Sequence, residues 1–224
     1  MQMQTPSRPE NRFLILIGLL IALGLPFSHL GGWTIAHSGL GPYWGSEAFW
    51  VPFFLLICVY VVVIERRPFS SIGFRAPRLS DIPLGIGAAI LIVAGDVGIS
   101  LLDRYLHLAV KPQIGALFAA PFWYRFFIVA RAAIVEETAF RGYGFERIVE
   151  LTGNRWLAAF LTFALFTLAH YPGGGLALAL AAAWGGLVLT LLYLWRRNLW
   201  ATMLPHWLTD VIGLLVIPAL SAHH

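Results

Sequence analysis

About seven apolar stretches of roughly 20 residues follow one another along this chain, with short polar turns between them. They fall near 13–31, 48–64, 82–102, 121–145, 155–171, 176–195 and 199–220. Backbone N–H and C=O groups in oil must be satisfied inside their own segment, so stretches of this length are helices. The expected fold is all-α: a polytopic transmembrane helical bundle of about seven spans. Charged residues make up 12% of the chain and hydrophobic residues 59%, against roughly 25% charged in an ordinary soluble domain. A further apolar piece, 113–120 between Pro112 and Pro121, is too short to span and is expected to be re-entrant or interfacial.

Arginine placement orients the chain. With the N-terminus cytoplasmic, the inside segments carry Arg8, Arg12, Arg66, Arg67, Arg75, Arg78, Arg141, Arg147, Arg155, Arg196 and Arg197. The outside loops carry only Arg104 and Lys111, and Arg125 and Arg131 fall within a span. This asymmetry follows the positive-inside rule. The expectation is an integral protein of a bacterial plasma membrane with its N-terminus in the cytoplasm. The net charge of +4 then reflects orientation. Nucleic acid is not an expected partner, because no basic patch with interleaved aromatics occurs.

The first span follows a basic stretch, as a signal peptide does, but PFSHLGGW offers no small-x-small cleavage site. It is read as a retained helix. Cys58, alone in the second span, is read as a small buried hydrophobe. The terminal His223 and His224 are set aside.

Two carboxylates stand side by side in this setting. Glu136 and Glu137 lie between FFIVARAAIV and TAFRGYGF. A carboxylate in lipid is expensive unless paired or facing a cavity, and so marks a functional site by default. Thr152-Gly153-Asn154 is a turn signal, and Tyr171-Pro172-Gly173-Gly174-Gly175 is expected to stop the next helix. Glu136 lies as far before Gly153 as His170 lies after it. In an antiparallel hairpin both reach the same depth, ~25 Å from the turn. His206 and Asp210 share a helix face by their i,i+4 spacing, with Pro205 just ahead. By the same measure His206 is only ~12 Å from its turn, shallower than Glu136. Glu137 and Arg141 have the favoured i,i+4 order for an ion pair, which leaves Glu136 facing elsewhere.

Blander readings stand beside this one. The glutamates could form a structural ion-pair cluster with Arg141 or Arg131, and His170 or His206 could be interfacial. Asp96, in the middle of the third span, is expected to bond a neighbouring helix. Asp103, Arg104, His107 and Lys111 read as a solvated loop.

These elements, in this order, resemble the CPBP family of intramembrane proteases, which includes the type 2 CAAX prenyl endopeptidases, the Abi proteins and the lysostaphin-resistance-protein-A-like proteins. Its Glu-Glu-x-x-x-Arg motif is matched by EETAFR, Glu136 to Arg141. Phe-x-x-x-His is matched by FTLAH, Phe166 to His170, and the His-x-x-x-Asn type by HWLTD, His206 to Asp210. The resemblance covers roughly residues 121–215. It implies a site sunk in the membrane that cuts a membrane protein or peptide within the lipid bilayer. Glu136 would activate water, with His170 helping to hold it. His206 and Asp210 would serve the oxyanion side or, in a metalloprotease, bind metal. Asp210 departs from the common Asn, and an ionised carboxylate cannot donate to an oxyanion. Residues 1–112 carry no recognised motif, and 113–224 form the expected catalytic bundle.

The chemistry needs a base for water, an acid for the leaving amine and stabilisation of the tetrahedral oxygen. A desolvated glutamate can serve as base and then acid. A zinc route would need three protein ligands and an open position. Glu136, His170 and His206 could supply them, although no His-Glu-x-x-His is present. Glu137, Arg141 and Asp210 complete the candidate site. Three functions stay open: an intramembrane endopeptidase, an idle relative acting in immunity or as a scaffold, and a small proton-coupled transporter. A transporter would carry inverted repeats, and none is visible.

Overall fold

Long runs of Leu, Ile, Val, Ala and Phe without charges give this chain long helices, and proline and glycine decide where they bend. The computed structural model describes residues 9–106, 117 and 119–217. Among the described residues there are helices and no strand, an all-α membrane helical bundle. The helices are α1 Pro9–Leu19, α2 Leu30–His37, α3 Gly41–Val59, α4 Asp81–Leu106, α5 Phe122–Glu136, α6 Phe145–Thr152, α7 Arg155–Arg196 and α8 Leu199–Val211. Four π-helical segments are interposed or appended: Leu20–Gly24, Tyr60–Ile64, Glu137–Gly144 and Ile212–Val216.

Among the described residues, four helices are long and apolar enough to cross a membrane: Tyr43–Ile64, Asp81–Leu106, Arg155–Arg196 and Leu199–Val216. A fifth results if Asn11–Phe27 and Leu30–His37, bent by 58°, are one span. The difference from the seven expected spans has two sources. The stretch near 121–145 is helical, but it carries Arg125, Arg131, Glu136, Glu137 and Arg141 and so fails as a plain apolar span. The stretches 155–171 and 176–195 count together as Arg155–Arg196, but they are two helices joined across a kink at Gly175. The kink closes the Tyr171–Gly175 run expected to stop the first of them, and Pro172 within it removes one backbone donor. The φ of 74° and ψ of −156° at Gly175 suit a residue without a side chain. Asp103 and Arg104 belong to α4 and not to a loop. Arg8, His107, Lys111, Pro112, His223, His224 and residues 113–116 and 118 lie outside the described residues.

Backbone contacts divide the chain into two units that interleave in sequence: Met1–Arg75 with Thr138–Thr162, and Ala76–Glu137 with Phe163–His224. In the first unit, α2 packs on α3 and α1 on α6. Buried Arg147 binds Glu65 through Nε at 3.0 Å and reaches the Ser71 hydroxyl at 3.1 Å. The Tyr143 hydroxyl donates to the same Glu65 at 2.6 Å. Arg67 donates to Glu150 at 2.8 Å. Arg67 and Arg147 thus each have a carboxylate partner at this polar end.

In the second unit, α8 packs against both α4 and α5. Gly85 lets α4 approach closely, since a Cβ there would lie 2.8 Å from the Leu204 side chain. The α4 start is tied to the turn before α8 by Arg196, which donates to buried Asp81 at 2.8 Å. Asn198 then caps α8 by accepting from the Trp200 N–H at 3.3 Å. Within α5, Arg125 donates to the Leu214 carbonyl at 2.8 Å. Exposed apolar side chains such as Ile90, Leu101 and Trp195 present a surface suited to lipid.

Candidate active site

The last residue of α5 and the first of the following π-helical segment are the paired glutamates, and the second unit contains both. Their carboxylates lie either side of one imidazole. Nδ1–H of His206 donates to Glu137 Oε1 at 2.9 Å, and His206 Nε2 lies 4.0 Å from Glu136 Oε2. Glu137 is completely buried, and Glu136 is partly buried, with its side chain 18% exposed. His206 is a partner for Glu137 that the i,i+4 spacing to Arg141 did not suggest. Arg141 sits in the π-helical stretch, where the α-helical face rule no longer applies, and is buried.

His170 approaches from α7. Its Nδ1–H donates to the Phe166 carbonyl one turn back at 2.8 Å. The neutral ring then carries its lone pair on Nε2, which lies 3.7 Å from Glu136 Oε2. Two acceptors face each other across a gap too long for a hydrogen bond. Glu136 Oε2 is buried and has no hydrogen-bond partner. Asp210 joins from α8, with Oδ2 3.7 Å from His206 Nε2. Glu136, Glu137, His170, His206 and Asp210 therefore share one cluster within the second unit. The depth mismatch estimated for His206 does not keep it from the glutamates.

Sequence reasoning gave Phe166 a place in a motif but no contact. Its buried ring packs 4.6 Å from the His170 ring and 6.2 Å, edge-on, from the His206 ring. It sets the spacing of the two imidazoles. Arg131, on α5, lies within electrostatic reach of Asp210. The sequence offered it only as a partner for the glutamates, since nothing in its spacing pointed to α8.

The donors were tested for a metal. Ligand atoms about 2.0–2.1 Å from zinc lie roughly 3.4 Å apart on a tetrahedron. Glu136 Oε2 is 3.7 Å and 4.0 Å from the two Nε2 atoms. Among the described residues, no group of three or more His, Cys, Asp or Glu is arranged to hold a metal ion. The side chains as placed do not fit zinc, and the chemistry below is derived from them alone.

Residues 118–212 match the family model of the type II CAAX prenyl endopeptidase Rce1-like proteins. No curated protein and no solved structure matches the chain significantly. The matched segment contains the five clustered residues. Over residues 118–212 the chain is similar to the type II CAAX prenyl endopeptidase Rce1-like proteins, which supports a CAAX-type intramembrane protease.

Proposed function

We propose that this protein is an intramembrane endopeptidase that hydrolyses a peptide bond of a membrane-associated or lipidated protein, using water activated by Glu136. Residues 113–224 are its catalytic part. The carrying observation is the gap between Glu136 Oε2 and His170 Nε2, two acceptors 3.7 Å apart. A water molecule is the donor that suits both, since it has two hydrogens to give. The Phe166 carbonyl holds His170 in the tautomer that accepts on Nε2.

The water oxygen attacks the scissile carbonyl carbon while Glu136 takes the proton. The C=O π electrons move to oxygen. A proton on His206 Nε2, with Nδ1–H held by Glu137, would donate to that oxyanion. The protonated Glu136 then gives its proton to the amide nitrogen as the C–N bond breaks. One product leaves as the amine and the other as the acid. Asp210 faces His206 Nε2 at 3.7 Å. Its role is to orient that imidazole, since an ionised carboxylate has no proton to give. The proposed setting is a bacterial plasma membrane.

The test uses purified protein in lipid nanodiscs and fluorogenic apolar peptides. Glu136→Gln keeps the size but cannot take a proton, so cleavage falls at least ~100-fold. Activity survives a chelator. Near-unchanged turnover by Glu136→Gln overturns the assignment, and chelator inhibition reversed by zinc overturns the metal-free route.

A further inference from the structure

One carboxylate in the second unit is used neither by the cluster nor by any ion pair described above. Asp96 stands in the middle of α4, and its Oδ1 is buried without a hydrogen-bond partner. It lines a cavity of about 340 Å³. One wall is a helical stripe of α4 that includes Val93, Asp96, Val97 and, two turns on, Arg104. The other wall is the end of α8 and the π-helical turn after it, including Thr209 and Ile212. Ligand pockets begin at about 300 Å³ and are mostly apolar with a few placed polar groups. This cavity has that make-up. It adjoins the catalytic cluster, because Thr209 on its wall is the neighbour of Asp210.

An unpartnered carboxylate oxygen in an apolar setting is costly and is relieved by a cation. Arg104 lies ~12 Å further along the helix, too far for contact with Asp96 unless its side chain turns back along the cavity. It is exposed at the cavity's far end. We propose that this cavity is a specificity pocket for a substrate side chain with an aliphatic stem and a cationic head, a lysine or arginine near the scissile bond, with Asp96 as its charge partner. The proposal rests on the endopeptidase reading. Val93, Val97 and Ile212 supply the apolar wall for the stem. A lipid headgroup is a poorer occupant. Asp96 is ~22 Å along α4 from Asp81 and ~15 Å from Leu106, which places it inside a hydrocarbon layer about 30 Å thick.

The experiment uses synthetic 20-residue apolar peptides in phosphatidylcholine nanodiscs. A single lysine is scanned across the central positions, and a parallel series carries norleucine, which keeps the stem without the charge. Binding is measured by fluorescence anisotropy on the Glu136→Gln protein, and cleavage on the unmodified protein with the cut mapped by mass. At one position relative to the cut, lysine should improve binding and kcat/KM by about tenfold over norleucine. Asp96→Asn should bring that ratio close to one. Gly213→Leu should weaken binding of both series, because a Cβ at Gly213 meets nothing within 4 Å and a side chain there grows into the cavity. Equal binding of the lysine and norleucine series overturns the proposal, as does a lysine preference that survives Asp96→Asn. A preference for zwitterionic or anionic lipid over peptide, with no peptide selectivity, also overturns it. Lysine-selective binding without any cleavage leaves the pocket standing and overturns the endopeptidase reading.

Discussion

Nδ1–H of His206 donates to the fully buried Oε1 of Glu137 at 2.9 Å. The contact fixes which imidazole nitrogen faces Glu136 and Asp210. Losing a hydrogen bond to a charged group costs about 1.5–3 kcal/mol. Glu137→Ala should lower stability by that order and reduce kcat at least ~10-fold through loss of imidazole orientation. Glu137→Gln keeps an acceptor oxygen and should recover most of the stability. Melting in detergent and kcat on a fluorogenic peptide measure the two effects. Equal behaviour of the Ala and Gln variants would contradict an orienting role.

Gly95 is fixed by packing. A Cβ there would come within 2.0 Å of Trp184 Nε1, whose N–H donates to the Leu91 carbonyl at 3.1 Å. Gly95→Ala must displace the indole, at a cost of about 1–3 kcal/mol for overpacking. Trp184→Leu should absorb part of that cost, so the double variant should be more stable than the two single effects predict. Additive melting shifts would count against the close approach.

Glu150 makes part of the first unit sensitive to acid. Burial pushes its carboxyl up, but the hydrogen bond and charge of Arg67, with the charge of Arg147, outweigh this and hold it below its ordinary value. A carboxylate depressed in the folded state stabilises the fold above its unfolded value, about 4.5, and that contribution fades as pH falls through the lower folded value. Wild type should therefore exceed Glu150→Gln in melting temperature at pH 6. The gap should close as pH falls below about 4. A gap that is constant between pH 6 and pH 3 would show that the ion pair contributes nothing.

The arginine distribution predicts that the turns at Asn154 and at Arg197–Asn198 face the cytoplasm. Cysteines placed at Asn154 and Arg197, in a Cys58→Ala background, should react with an impermeant maleimide only in inside-out vesicles. Labelling of either position in right-side-out vesicles would reverse the orientation.

Much of the arrangement was legible because the polar residues of this chain are so few. Glu136, His170 and His206 stand out against apolar neighbours, and helical rise alone puts the first two at one depth. Other features were hidden for physical reasons. A π-helical turn leaves no periodic mark over Glu137–Gly144, and no spacing within that stretch pointed to the contact that Glu137 makes with His206 of α8. The run of Pro172 and three glycines reads as a stop, but which of its residues carries the break is not legible, and the chain turns at Gly175. The apolar stripe beside Asp96 reads as a lipid-facing surface, and only the opposite wall, from Thr209 onward, makes it a cavity.

The four π-helical segments give this chain an unusual tolerance map. Each wide turn holds surplus backbone relative to a regular helix. Removing one residue from Glu137–Gly144 lets a wide turn close to an α-helical one, so the residues beyond keep nearly the same face. The same deletion in a regular α-helix would rotate everything beyond it by about 100°. Chain length is thus a more forgiving variable in these segments than in the helices around them, whose phase every residue fixes.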